Sequence, residues 1–106
     1  MAKYMLQVSY TAEGARGLIK EGAAARREYI SGYIASLGGT LEAFYFCFGE
    51  HDVLVIADLP GNTEAATASL AVSASGSAHT ITHVLLTPEE IDAASGGMGG
   101  FRAAGT

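Results

Sequence analysis

The run KYMLQVSY at Lys3–Tyr10 is dense in aromatic and branched residues and predicts a first strand. At Thr11, which suits an N-cap, the pattern turns helical and continues from Ala12 to Leu37. Gly14, Gly17 and Gly22 each weaken a helix by about 1 kcal/mol relative to Ala. The stretch therefore predicts a short helix near Glu13–Lys20, a kink, and a longer helix over Ala23–Leu37. On the longer helix Arg26, Ile30, Tyr33, Ile34 and Leu37 share one side at spacings of three and four. Gly38-Gly39 ends it as a C-cap.

Two apolar runs follow, Thr40–Phe48 (TLEAFYFCF) and His51–Leu59 (HDVLVIADL), joined at Gly49-Glu50. They predict a hairpin in which Gly49 supplies the positive φ of a tight turn and Asp52 bonds turn amides. Pro60-Gly61-Asn62 breaks the chain and caps a further helix over roughly Thr63–Ser75, closed by Gly76. His79–Thr87 reads as a fourth strand. Thr87-Pro88-Glu89-Glu90 then starts a short helix, with a capping threonine, proline at the first position and acids in the first turn. This gives one domain over residues 1–94 and a Gly/Ala-rich tail over residues 95–106. The order β-α-β-β-α-β is the α+β, ferredoxin-like arrangement, with right-handed crossovers placing both helices on one face of a four-stranded antiparallel sheet.

A sheet with helices on one side and water on the other alternates apolar and polar residues. This one does not. Leu41, Ala43, Tyr45 and Cys47 are expected on one face of their strand and Phe44, Phe46 and Phe48 on the other. Val53, Val55, Ala57 and Leu59 oppose Leu54 and Ile56, and Ile81 and Leu85 oppose Val84 and Leu86. Exposing such side chains costs roughly 1.5–3 kcal/mol each. A second copy packing its open sheet face against the first is the economical cover, an isologous contact. Surplus apolar positions on the helices, at Ala65–Ala78, Ile30 and Ile34, allow a higher homo-oligomer.

The run Leu37-Gly38-Gly39-Thr40-Leu41-Glu42-Ala43-Phe44-Tyr45-Phe46, followed by Phe48-Gly49-Glu50-His51-Asp52-Val53, resembles the GYD domain family. So do Tyr10-Thr11-Ala12-Glu13-Gly14, Ala74-Ser75-Gly76 and Leu85-Leu86-Thr87-Pro88-Glu89-Glu90, and together the resemblance covers roughly residues 3–94. The motif that names the family stands here as Gly49-Glu50-His51-Asp52, with His51 where the tyrosine is expected. The resemblance implies the dimeric α/β-barrel superfamily, in agreement with the two apolar sheet faces. It implies a fold and self-association rather than a particular reaction.

Members of that superfamily often bind small, largely apolar molecules between sheet and helices, and some are oxygenases or isomerases that need no metal. The resemblance thus makes His83 a candidate base of such a pocket, with Ser9, Tyr10, Arg26 and Tyr45 as polar partners. His83 shares its face with Ile81 and Leu85, beneath the helices or in the sheet interface. His51 is the second candidate base, at a cavity mouth with Asp52, although strand neighbours point to opposite faces. His79 and His83 lie about 13 Å apart at ~3.3 Å per residue, too far to share an ion, so no metal and no other cofactor is expected. Arg26 and Arg27 point about 100° apart on a helix and are expected to pair with carboxylates rather than form a clamp. Tyr29 and Tyr33 are expected to pack against the sheet. Cys47, in an apolar strand, reads as a small core residue.

Composition narrows the classes. With 106 residues and a net charge of −5, the chain lacks the basic surface that nucleic-acid binding requires. It is 49% hydrophobic with only 16% charged residues, too apolar for a disordered chain. One cysteine fits a reducing cytoplasm. Lys3, Gln7, Glu13, Arg16 and Lys20 argue against a signal peptide or membrane span in the first 20 residues. The expectation is a cytoplasmic homo-oligomer that binds a small apolar or aromatic molecule. Two alternatives are a metal-free oxygenase- or isomerase-like enzyme with a histidine base, and a self-assembling structural protein whose tail makes inter-subunit contacts.

Overall fold

The structure, a computed structural model, describes residues 1–106. The elements are β1 (Ala2–Tyr10), α1 (Ala12–Glu21), α2 (Ala23–Ser36), β2 (Thr40–Phe46), β3 (Val53–Leu59), α3 (Asn62–Ala74), β4 (Ala78–Leu85) and α4 (Pro88–Ser95). The sheet order is β2-β3-β1-β4 with every pairing antiparallel, the α+β ferredoxin-like topology. Gly22, at φ 97°, separates α1 from α2 where the glycine pattern places the kink. Thr11 caps α1 by accepting from the Gly14 amide, and it donates to the Gly76 and Ser77 carbonyls, which ties α1 to the start of β4.

The core lies on one face of the sheet. Tyr4 and Leu6 from β1 and Val53, Val55, Ala57 and Leu59 from β3 pack against Ile34 of α2 and Ala65 of α3. Tyr4 is 2% exposed, and its hydroxyl donates to Asn62 Oδ1 at 2.6 Å. Within the Pro60-Gly61-Asn62 break, the Asn62 side chain is thus committed to Tyr4 and not to the cap of α3. Gly61 occupies the cap position without a side-chain bond, and Asn62 is the first helical residue.

Two glycines close α2 in different ways. Gly38, at φ 85°, takes the left-handed position, and the Gly38 and Gly39 amides donate to the Ala35 and Ile34 carbonyls at 3.0 Å each, a complete Schellman pair. Gly39 is needed for space instead: an added Cβ would lie 2.2 Å from the Asp58 carbonyl oxygen.

The hairpin differs from expectation in two respects. A bulge between Leu41 and Ala43 leaves Glu42 as the extra residue, so Leu41 pairs with Ala57 while Ala43 pairs with Ile56. Leu41 therefore joins Phe44 and Phe46 on the helix side, and only Ala43 and Tyr45 face the open side with Leu54 and Ile56. The connection is also longer than a two-residue turn. β2 ends at Phe46 and β3 begins at Val53, with residues 47–52 between them. The positive φ of 49° falls on Phe48, not on Gly49. Cys47 is exposed rather than in the core, its thiol directed to the His51 carbonyl.

α4 forms as its sequence predicts, with Thr87 and Glu90 exchanging both bonds of a capping box and Pro88 in the first turn. No residue from Leu86 to Thr106 is buried. This arm explains a radius of gyration of 16.9 Å, against about 13 Å for a compact chain of this length. No helix is long and apolar enough to cross a membrane.

The glycine geometry makes a paired prediction. Gly39→Ala forces its Cβ into β3 and should lower unfolding stability by about 1–3 kcal/mol. Gly17→Ala sits inside α1 with nothing within 4 Å and should raise stability by about 0.5–1 kcal/mol. Urea denaturation of the two variants beside wild type measures both.

Candidate functional site

Layer spacing creates the site. The side of α2 carrying Arg26, Ile30, Tyr33 and Ile34 faces the sheet, as its spacing predicts. α3 presents mainly small side chains to the same space, with Ala68 buried and Ala71 and Val72 beside it. Short side chains on one wall and aromatic ones on the others leave a cavity of about 400 Å³ over Val8, Tyr10, Phe44 and Val55 of the sheet. That volume lies within the range of small-molecule sites. Of the α3 alanines, Ala65 and Ala68 belong to the core, as does Ile34, whereas Ala66, Ala71 and Ala74 are exposed.

Polar groups gather around this apolar space. Arg26 is the one charged residue of the lining. Its guanidinium stacks 4.9 Å from the centre of the Tyr29 ring and lies 3.6 Å from Glu21, a loose ion pair between two partly exposed groups. Arg27 pairs with Glu28 at 3.7 Å, so the two arginines diverge as the helix geometry requires. Tyr29 and Tyr33 both line the cavity, Tyr29 from a largely exposed position at its wall. Burial pushes the Tyr10 phenol above its ordinary range; Asp52 and Glu21 add to this and Arg26 opposes it. At neutral pH it is a hydrogen-bond donor.

Asp52 has a clear structural task. Its carboxylate accepts from the Tyr10 amide at 2.7 Å and its own amide donates to the Val8 carbonyl at 2.8 Å. The β1–β3 pairing is thereby prolonged past its last ladder pair, and Tyr10 is held at the cavity wall. The expectation that Asp52 bonds amides holds, but the amide belongs to the end of β1 rather than to the hairpin turn.

The remaining candidates lie elsewhere. The pairings Met5↔His83, Gln7↔Ile81 and Ser9↔His79 place all six residues on the open face. There His83 Nε2 is 3.0 Å from Gln7 Oε1, and Ser9 Oγ is 3.4 Å from His51 Nδ1. Tyr45 is 68% exposed on the same face. Tyr10 and Arg26 therefore meet in the cavity, while Ser9, Tyr45 and His83 lie across the sheet from it and His51 sits in the β2–β3 connection. No histidine lines the cavity. The structure contains no cluster of three or more His, Cys, Asp or Glu side chains suited to a metal ion. Tyr33, Ala68 and Val72 were missed as site residues because residue type alone does not tell a core position from a cavity wall; the small side chains along α3 were the available signal.

Removing the Asp52 carboxylate leaves the Tyr10 amide without its charged acceptor. Asp52→Ala should cost about 1.5–3 kcal/mol of stability, and His51→Ala no more than about 0.5 kcal/mol, both read from urea denaturation midpoints.

No curated protein and no solved structure matches the chain. The sequence profile of the GYD domain matches residues 4–95, which takes in every strand and all four helices apart from two residues of β1. On that match, the chain belongs to the GYD domain family.

Proposed function

We propose that the protein is a cytoplasmic homo-oligomer that binds a small, largely apolar or aromatic molecule in the cavity between its sheet and helices α2 and α3. The observation that carries this reading is the cavity, an apolar space of about 400 Å³ with a few polar groups at its wall. Self-association is supported by the opposite face. Met5, Leu54, Ile56, Ile81 and Tyr45 make it largely apolar, with Lys3, Glu42 and Asp58 along one margin and the Gln7–His83 pair as a polar contact between Leu54, Ile81 and Met5. An exposed, largely apolar patch of this kind marks an interface, and the Gln7–His83 pair supplies polar groups that a partner surface can meet. An enzyme using a histidine base is less well supported, since the histidines and the cavity are on different sides of the sheet.

A second reading, assembly as the function itself, draws on the C-terminal arm. An eight-residue helix is marginal in water on its own. α4 nevertheless has a full capping box, and Ile91 within it and Met98 and Phe101 after it are unburied, Phe101 being 90% exposed. A neighbouring subunit is the natural place for those side chains to pack.

Sedimentation velocity tests the assembly. Ile81 is already 52% exposed, so Ile81→Asp should spare the fold yet shift the protein from a dimer or larger even oligomer to the monomer. A truncation ending at Asp92 should keep the sheet-to-sheet dimer and lose any larger form; an unchanged large oligomer counts against the arm. For the cavity, the neutral fluorophore N-phenyl-1-naphthylamine should bind wild type at one site per chain. Ala71→Phe, which fills the space from α3, should abolish that binding with little change in thermal stability. Binding undiminished by Ala71→Phe contradicts the assignment of the site.

A further inference from the structure

Resting on the reading of the cavity as a ligand site, the geometry points to its ligand class: we propose that the cavity selects an apolar molecule bearing a single carboxylate, held by the Arg26 guanidinium with the Tyr10 hydroxyl as second donor.

Three observations converge. The chain is acidic overall, with eleven Asp and Glu against six Lys and Arg, yet the only charged residue at the cavity wall is a cation and no carboxylate lines it. Arg26 is also held without being used up. The guanidinium carbon lies 4.9 Å over the Tyr29 ring, a cation–π contact that uses none of its N–H donors. The Glu21 carboxylate is 3.6 Å away, beyond hydrogen-bond length, on the far side of the Gly22 break. A ligand carboxylate reaching 2.7–2.9 Å in a bidentate pair would displace so loose a partner. Finally, the Tyr10 hydroxyl makes no hydrogen bond within the protein, and burial keeps it protonated. Its main chain is anchored by Asp52 at 2.7 Å, which keeps the residue at the cavity wall. The rest of the wall, including Ile30, Phe44 and Val72, offers only apolar contact to the body of the molecule.

Arg26 is itself partly exposed, so the anionic end lies toward solvent and the apolar body inward. A dicarboxylate or zwitterion would bury a second charge without a partner and should be rejected. Glu21, as the resident carboxylate, competes with the ligand, and neutralising it should tighten binding.

Isothermal titration with the matched probes 1-naphthoate and 1-naphthalenemethanol tests this on the full-length protein. Wild type should bind the carboxylate at least about tenfold more tightly than the alcohol, and added salt should weaken only the former. Arg26→Gln should abolish the preference while leaving the alcohol's affinity unchanged. Glu21→Gln, which alters no cavity residue, should strengthen naphthoate binding a few-fold and so tests the pairing even if Arg26→Gln folds poorly. Equal affinity for the two probes in wild type overturns the carboxylate inference and leaves the apolar site standing. Binding of neither probe overturns the site and the inference together.

Discussion

Antiparallel pairing of β1 with β3 decides which side chains meet the helices and which do not. In the register Tyr4↔Ala57 and Leu6↔Val55, the largest buried residues of the two central strands fall on one face. Met5, Gln7, Leu54 and Ile56 fall on the other, and a slip of one residue would exchange the two sets. Asp52 extends this pairing beyond the ladder through its amide to Val8 and its carboxylate to the Tyr10 amide. The anchoring is what delivers a donor to the cavity wall. A residue that looks like a candidate acid or base is thus part of the frame that positions the site.

The two faces have different fates because helices cover only one of them. On the covered face the mismatch between small residues on α3 and large ones on α2 and the sheet prevents complete filling. A natural core is close-packed, so a space of this size between layers is a feature of the sequence. On the uncovered face Met5, Leu54, Ile56 and Ile81 are left without a helix over them, with the Gln7–His83 contact among them. In the proposed reading, ligand binding and subunit association are separated by the thickness of one sheet, and His79 and His83 lie on the second side.

Much of this was legible in the sequence where a local rule governs. The helix break at Gly22, the end of α2 at Gly38-Gly39 and the capping box of Thr87 and Glu90 each depend on a few neighbouring residues, and each is present. The alternation of apolar residues also showed that both sheet faces are apolar. It did not reveal the bulge at Glu42, because the pattern TLEAFYF reads as a strand with or without an extra residue, and so Leu41 was placed on the wrong face. Nor does strand parity say which face the helices cover, which left His83 ambiguous between pocket and interface. Phe48 was unreadable for a different reason: its positive φ answers to the hydrogen bonds that close the loop between Cys47 and Asp52, not to its own preference. The cavity depends on how far apart two layers sit, a quantity that alanines on α3 suggest and no single helix defines.

The claim on which the rest depends is that one face of the sheet joins subunits while the other encloses a small molecule. Native mass spectrometry of gently purified protein at near-physiological salt tests both halves in one spectrum. The account predicts an even oligomer carrying one small organic molecule of defined mass per chain, released intact on activation. A bare monomer as the main species would contradict it.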